Sequence, residues 1–146
     1  MFGALTLATG PRAKVAGYFL RGETHTAITE FGGRSHGESV LEVTSRMQPN
    51  ALYLLDEPES GLSAISQMAL LAQLHALGRP DTQVVMVTHS PILLGVPGAE
   101  IVEVGEQGMT RGVAVEETMA FRAMRDFLAD PHGIAEYMAE WAVHEE

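Results

Sequence analysis

Residues 51–58, with the sequence ALYLLDEP, constrain the fold more than any other stretch of this chain. Five apolar residues lead directly into two adjacent carboxylates, Asp56 and Glu57, and then into Pro58. An apolar run of this length that ends in a turn signal predicts a strand buried on both faces. In open α/β sheets such strands end at the edge where ligands bind, so the two carboxylates are candidates for a functional site.

The adjacent carboxylates Asp56 and Glu57 pose an electrostatic problem. Carboxylates are rarely fully buried without a partner, and two neighbours of like charge repel each other. A bound cation would relieve both problems, and the usual candidate is a Mg²⁺ ion with oxygen ligands. The alternative is a polar turn that only ends a core strand, and the octapeptide alone leaves both interpretations open.

The composition is that of one globular domain. The 146 residues are 46% apolar and 19% charged, which is enough to build a single core. The net charge of −10 argues against direct binding of nucleic acid, because phosphate binding needs a basic surface. The sequence has no cysteine, no apolar run of membrane-spanning length and no signal-peptide pattern, so we expect a cytoplasmic protein without disulfides.

Strands and helices are predicted to alternate up to residue 88. Ser63 stands where it can cap a helix that Gly78 and Pro80 then end. A strand on either side of that helix, joined by short links, predicts parallel pairing and therefore an α/β fold. The expected elements are strands over 17–21, 51–55 and 83–88, with the last strand also buried, a glycine-bearing loop over 32–39, and helices over 39–47 and 64–77.

The chain after residue 100 predicts a β-hairpin followed by two amphipathic helices. The hairpin strands cover residues 101–104 and 109–115, and Pro131 separates the helices. The predicted organisation is an irregular segment over 1–16, a main domain over 17–130 and a terminal helix over 131–146. We expect the large apolar residues of the two helices to pack in the core: Ala120, Met124, Phe127, Leu128, Ile134, Tyr137, Met138 and Trp141.

Three short motifs follow one another in the chain. They are SHGES at 35–39, LLDEPESGLS at 54–63 and VTHSP at 87–91. Their order and spacing resemble the C-terminal half of ABC-type ATPases, especially the soluble predicted ATPases of the AAA/ABC superfamily, over residues 17–130. The resemblance implies a partial RecA-like ABC ATPase core that uses ATP and Mg²⁺.

The resemblance also implies roles for the matching residues, and phosphoryl transfer needs groups of these types. Asp56 matches the Walker B aspartate that holds Mg²⁺ through water, and Glu57 matches the carboxylate that polarises the attacking water. His89 matches the switch histidine that senses the γ-phosphate. The nucleotide-binding positions are those that match the signature motif and the D-loop: Ser35, His36, Gly37, Glu38 and Ser63.

The sequence departs from this family most clearly by what it lacks. No Gly-x-x-x-x-Gly-Lys-Ser/Thr motif occurs, and the single lysine, Lys14, lies in GPRAKV, which cannot form a phosphate-binding loop. His36, Ser63 and Ser90 also differ from the residues usual in transporters, which favours the soluble ATPases. The sequence therefore looks like the C-terminal part of such an ATPase, with the P-loop removed or encoded elsewhere.

These observations leave three functions open. The first is an ATP-hydrolysing module whose P-loop comes from another chain, or which meets a second ATPase subunit or a second copy of itself across the signature motif. The second is a catalytically inactive relative that serves as an interaction domain or is a non-functional remnant. The third is a metal site unrelated to nucleotides, with Asp56, Glu57, Glu59 and His89 as its ligands.

Overall fold

A three-stranded parallel sheet forms the centre of the computed structural model, which describes residues 16–21, 36–78, 80–106 and 108–143. The strands are β1 (Ala16–Arg21), β2 (Ala51–Asp56) and β3 (Gln83–Val87), in the order β1-β2-β3. Both pairings are parallel, as the strand–helix–strand order predicts. The chain is therefore α/β. Of the segment predicted to be irregular, only Ala16 is described, and it begins β1; residues 22–35 also lie outside the described residues.

The central strand β2 is fully buried on one face only. Ala51, Tyr53 and Leu55 are buried, whereas the alternate residues Leu52 and Leu54 are only partly covered. The prediction of burial on both faces is therefore wrong, because the helices that pack on the sheet in the described part of the chain cover a single face. The Tyr53 hydroxyl donates to the Gln48 carbonyl oxygen at 2.8 Å, which ties the start of the strand to the preceding turn.

Strand β3 is more exposed than its sequence predicts. Val84 and Met86 pack against the core, but Val85 and Val87 on the other face are exposed. The prediction of a second buried strand is wrong for the same reason as in β2. In addition, β3 has only one neighbouring strand among the described residues.

Two helices cover the buried face of the sheet. They are α1 (His36–Ser45) and α2 (Ala64–Leu77). Val40 of α1 and Leu70 and Leu74 of α2 join the same buried cluster as Tyr53. Helix α2 has its predicted bounds, whereas α1 begins at His36, three residues earlier than predicted. Leu93, in a short 3₁₀ helix (Leu93–Gly95), is also part of this cluster.

The C-terminal part consists of a hairpin and two helices at the predicted places. Strands β4 (Val102–Gly105) and β5 (Gly108–Arg111) pair antiparallel, and β5 is shorter than predicted. Helices α3 (Met119–Ala129) and α4 (Pro131–Val143) follow, with Pro131 at the first position of α4, where its missing N–H costs nothing. The Met119 amide donates to Glu103 Oε1 at 2.7 Å, which joins α3 to the hairpin.

The large side chains of α3 and α4 do not form a core with the described residues. The prediction that they pack in the core is wrong, because nothing in the described part of the chain covers this surface. Among the helices of the same described part, none is both long and apolar enough to cross a membrane. The exposed members of the predicted set are Met124, Phe127, Leu128, Tyr137, Met138 and Trp141.

Candidate functional site

The carboxyl ends of β2 and β3 lie side by side, as parallel pairing requires. Asp56, the last residue of β2, is in register with Arg21 on one side and Val87 on the other. Arg21 Nε lies 3.5 Å from Asp56 Oδ2, and both side chains are partly exposed. Asp56 therefore stands at the solvent edge of the sheet with its charge partly balanced by a guanidinium group.

Glu57 leaves the strand through an unusual backbone conformation. Its φ is 46°, in the left-handed region that residues other than glycine enter at a cost of about 1–3 kcal/mol. Its amide still donates to the Val87 carbonyl oxygen at 2.9 Å, so the chain turns only after one last contact with β3. This turn places Glu57 Oε1 3.2 Å from the Nε2 atom of His89, whose side chain is 84% exposed.

Glu59 binds the loop that carries His89. Its Oε1 atom accepts hydrogen bonds from the Thr88 hydroxyl at 2.7 Å, from the His89 amide at 2.7 Å and from the Ser90 amide at 3.2 Å. Its Oε2 atom is buried and has no hydrogen-bond partner in the described part of the chain.

Gln67 of α2 and Ser90 form a second connection to the same loop. The Ser90 hydroxyl donates to Gln67 Oε1 at 2.5 Å and accepts from the amides of Ile92 and Leu93. Gln67 Nε2 also donates to the Leu62 carbonyl oxygen at 3.1 Å. The turn after β2, the start of α2 and the loop after β3 are therefore held together by side chains.

Ser63 acts in the structure as the predicted helix cap. Its Oγ accepts from the Ser66 amide at 3.1 Å and lies 2.9 Å from Ser66 Oγ, at an exposed position. The hydroxyl is thus engaged with α2 itself. A nucleotide-binding role for Ser63 stays a prediction.

The signature-motif residues are only partly described. His36, Gly37 and Glu38 form the first turn of α1, where the sequence predicts a loop, and Ser35 lies outside the described residues. Nothing in the described part of the chain tests the predicted roles of these residues. Their predicted nucleotide contacts therefore remain predictions.

The sequence analysis gave no role to two of the residues that hold the 88–90 loop in place, and it gave a different role to a third. Thr88 lies in the VTHSP motif but was given no role of its own, and Gln67 carries no motif signal. Glu59 enters the sequence reasoning only as a metal ligand, whereas the structure uses it as a hydrogen-bond acceptor for the 88–90 backbone. Ser90 enters it only as a departure from transporters and is in fact buried.

Asp56 is of the residue type that a magnesium site needs, and it lies partly exposed at the carboxyl edge. Within the described residues, no three His, Asp or Glu side chains are placed to hold one ion. That finding does not favour the four-ligand metal site, in which Glu59 would have to bind the ion through its buried Oε2 atom, because Oε1 already accepts three hydrogen bonds. Mg²⁺ is commonly held by one or two carboxylates together with phosphates and water, and the partly exposed Asp56 can supply one of these.

A shallow cavity of about 270 Å³ lies at the other edge of the sheet. Its lining includes Met47 and Pro49, which precede β2, and Leu77 at the end of α2. The length of β2 separates it from Asp56. We give it no role in the site because its walls carry no charged group and its position is remote from the carboxylates.

One comparison with known proteins matches this region. A family model described as "AAA domain, putative AbiEii toxin, Type IV TA system" matches residues 41–95. The matched segment contains β2, α2, β3 and the loop with His89, and it is similar to an AAA-type, ATPase-like domain. The match spans less than half of the chain and leaves out residues 35–38 and the C-terminal hairpin and helices. No curated protein and no solved structure matches the chain.

Proposed function

We propose that the carboxyl edge of this sheet is one part of an ATP-hydrolysis site, completed by a P-loop from polypeptide outside these 146 residues. The observation that carries the proposal is the 3.2 Å contact between Glu57 and His89, directly beside Asp56, in a segment matched by an AAA family model. Phosphoryl transfer needs positioning and charge stabilisation more than covalent chemistry, and these side chains are of the right types.

Each of the three side chains has a distinct part in the proposed site. Asp56 would hold Mg²⁺, which would offset the negative charge of the phosphates. Glu57 accepts a hydrogen bond from the attacking water and orients it, since its carboxylate is partly exposed and already turned out of the strand. His89 contacts Glu57, and in the proposed site it also contacts the terminal phosphate.

The need for another polypeptide segment follows from the missing phosphate-binding loop. Without a backbone cradle and its lysine, the described edge offers few donors to the β- and γ-phosphates. A second ATPase subunit, or a second copy of this chain, could in addition present residues 35–38 across an interface. The ABC-type assignment and the family roles of Ser35, His36, Gly37, Glu38 and Ser63 belong to this proposal.

The first experiment is calorimetric titration of the 146-residue chain with MgATP. We expect weak or no binding by the chain alone, and any heat that is seen to disappear in Asp56→Ala. Asp81→Ala is the matched control, because Asp81 is exposed at the opposite edge of the sheet. Tight binding that Asp56→Ala leaves intact would contradict the site.

The second experiment uses the chain together with a P-loop-bearing partner. Glu57→Gln keeps the shape of the side chain but weakens its ability to orient water, so ATP should still bind while turnover falls by about 10²–10⁴-fold. Unchanged turnover in the variant assembly would rule out Glu57 as the water-orienting group.

An interaction domain without catalysis is the second candidate function. It is favoured by the exposed apolar side chains of α3 and α4 and by the lack of a P-loop motif in the sequence. A neighbouring reading frame that encodes a P-loop would favour the hydrolysis site. If no P-loop partner restored ATP turnover, the interaction domain would be the better reading.

A further inference from the structure

We infer that Glu59 is a positioning residue that holds His89 in contact with Glu57. The inference rests on the proposed function for its catalytic meaning, but the contacts behind it do not. One carboxylate oxygen of Glu59 accepts three hydrogen bonds from three consecutive residues, Thr88, His89 and Ser90. An ionised acceptor makes shorter and stronger hydrogen bonds than a neutral one, so the loop is fixed at its centre.

The His89 ring depends on this loop because little else holds it. The side chain is 84% exposed, and its recorded polar contact within the described residues is with Glu57 Oε1. An exposed side chain with one polar contact takes its position mainly from its backbone. The backbone at this point lies beyond the end of β3, where pairing with β2 has stopped after the Glu57–Val87 hydrogen bond.

The geometry also explains why the carboxylate that binds the 88–90 loop lies in the turn after β2. Glu57 and Glu59 are two residues apart, and the turn between them is closed by the Ser60 amide on the Glu57 carbonyl oxygen at 3.0 Å. The segment that presents Glu57 therefore also presents the acceptor for the His89 amide. Both halves of the Glu57–His89 contact are fixed relative to one short turn.

A merely structural role is the competing explanation. Glu59 could satisfy three donors and stabilise the loop without affecting the His89 ring. The two explanations differ in one consequence. If Glu59 positions the ring, its removal must uncouple His89 from Glu57 even when the fold survives.

The test is nuclear magnetic resonance of the 146-residue chain at one fixed pH, following the ring signals of His89. In the wild type, Glu57→Gln should shift these signals because the two side chains touch. In a Glu59→Ala background the same change should leave them unmoved. Glu59→Gln, which keeps one oxygen acceptor, should restore part of the response, and Glu106→Ala in the exposed hairpin turn is the matched control.

Amide hydrogen exchange gives a second readout on the same samples. The His89 amide should exchange roughly 10- to 100-fold faster in Glu59→Ala, the factor expected when hydrogen bonds to a charged acceptor are lost. The Leu70 amide in α2 should keep its protection, which separates a local effect from unfolding. If Glu59→Ala does not fold, Glu59→Met keeps the aliphatic stem and removes the acceptors.

The outcomes separate this inference from the proposed function. A ring response to Glu57→Gln that persists in full without Glu59 would overturn the inference, whatever the chain catalyses. Loss of the response supports it, even if no assembly with a P-loop partner ever hydrolyses ATP. In an active assembly, Glu59→Ala should lower kcat with little change in the KM for ATP, and Glu59→Gln should recover part of the loss.

Discussion

Two regions of this chain differ in how their apolar residues meet solvent. The sheet region, which comprises the described residues between 16 and 97, has a continuous buried cluster that includes Tyr53, Leu70 and Leu93. The hairpin–helix region, residues 99–143 without residue 107, has equally regular secondary structure, but most of the large apolar side chains of its two helices are exposed. This difference shows that an amphipathic pattern specifies which face of a helix is apolar but does not specify which other element packs on that face.

The largest effect on the contrast between the regions should come from shortening one side chain in the core of the sheet region. Leu70 is fully buried between α2 and the sheet, so Leu70→Ala removes packing and leaves a cavity. We expect the free energy of unfolding to fall by about 2–5 kcal/mol, measured by urea denaturation. A loss below about 1 kcal/mol would mean that the cluster is not a close-packed core.

Helix caps give an intermediate effect that can be compared directly between the regions. Ser63 caps α2 through the Ser66 amide, and Thr118 caps α3 through the Phe121 amide. Replacing either residue by alanine should lower the stability of its helix by about 0.5–2 kcal/mol. The strongest packing among the described elements lies within each region, so we expect each change to act on its own region only.

The chain offers a separate probe for each cap. Trp141 is the only tryptophan and lies in α4, so its fluorescence follows the hairpin–helix region. Hydrogen exchange of the Leu70 amide follows the sheet region. Thr118→Ala should shift the fluorescence transition alone, and Ser63→Ala should speed exchange at Leu70 alone. A shift of both probes by either variant would show that the two regions unfold as one unit.

The secondary structure of both regions could be predicted because local signals agree with it. In α2, Ser63, an apolar run and Gly78 mark the start, body and end, and the observed helix has those bounds. The start of α1 was missed because Gly37 reads as a loop residue, whereas it lies in the first helical turn. The burial of β3 and of α3 could not be predicted, because it depends on which other elements pack against them. The spacing of apolar residues does not specify those elements.

The functional residues at the strand ends could be predicted from the sequence, whereas the contacts that hold the 88–90 loop in place could not. Asp56, Glu57 and His89 lie at or just after the ends of apolar strands, and parallel pairing brings the ends of such strands together. The contact with Glu59 depends on the left-handed turn at Glu57, and a non-glycine residue at positive φ has no reliable sequence signal. Gln67 reaches Ser90 across the gap between a helix and a loop, which is a tertiary contact between residues far apart in the chain.

The smallest effect should come from a leucine-to-alanine substitution in the hairpin–helix region. Leu128 of α3 is 69% exposed, so Leu128→Ala removes little buried surface and should change the free energy of unfolding by no more than about 0.5 kcal/mol. The measurement is urea denaturation with Trp141 fluorescence as the signal. The result is compared with the urea denaturation of Leu70→Ala. A cost near that of Leu70→Ala would mean that the α3 face is covered in solution, by a second copy or by chain outside the described residues. That result would remove the contrast between the regions, because the apolar face of α3 would then be buried as its sequence predicts.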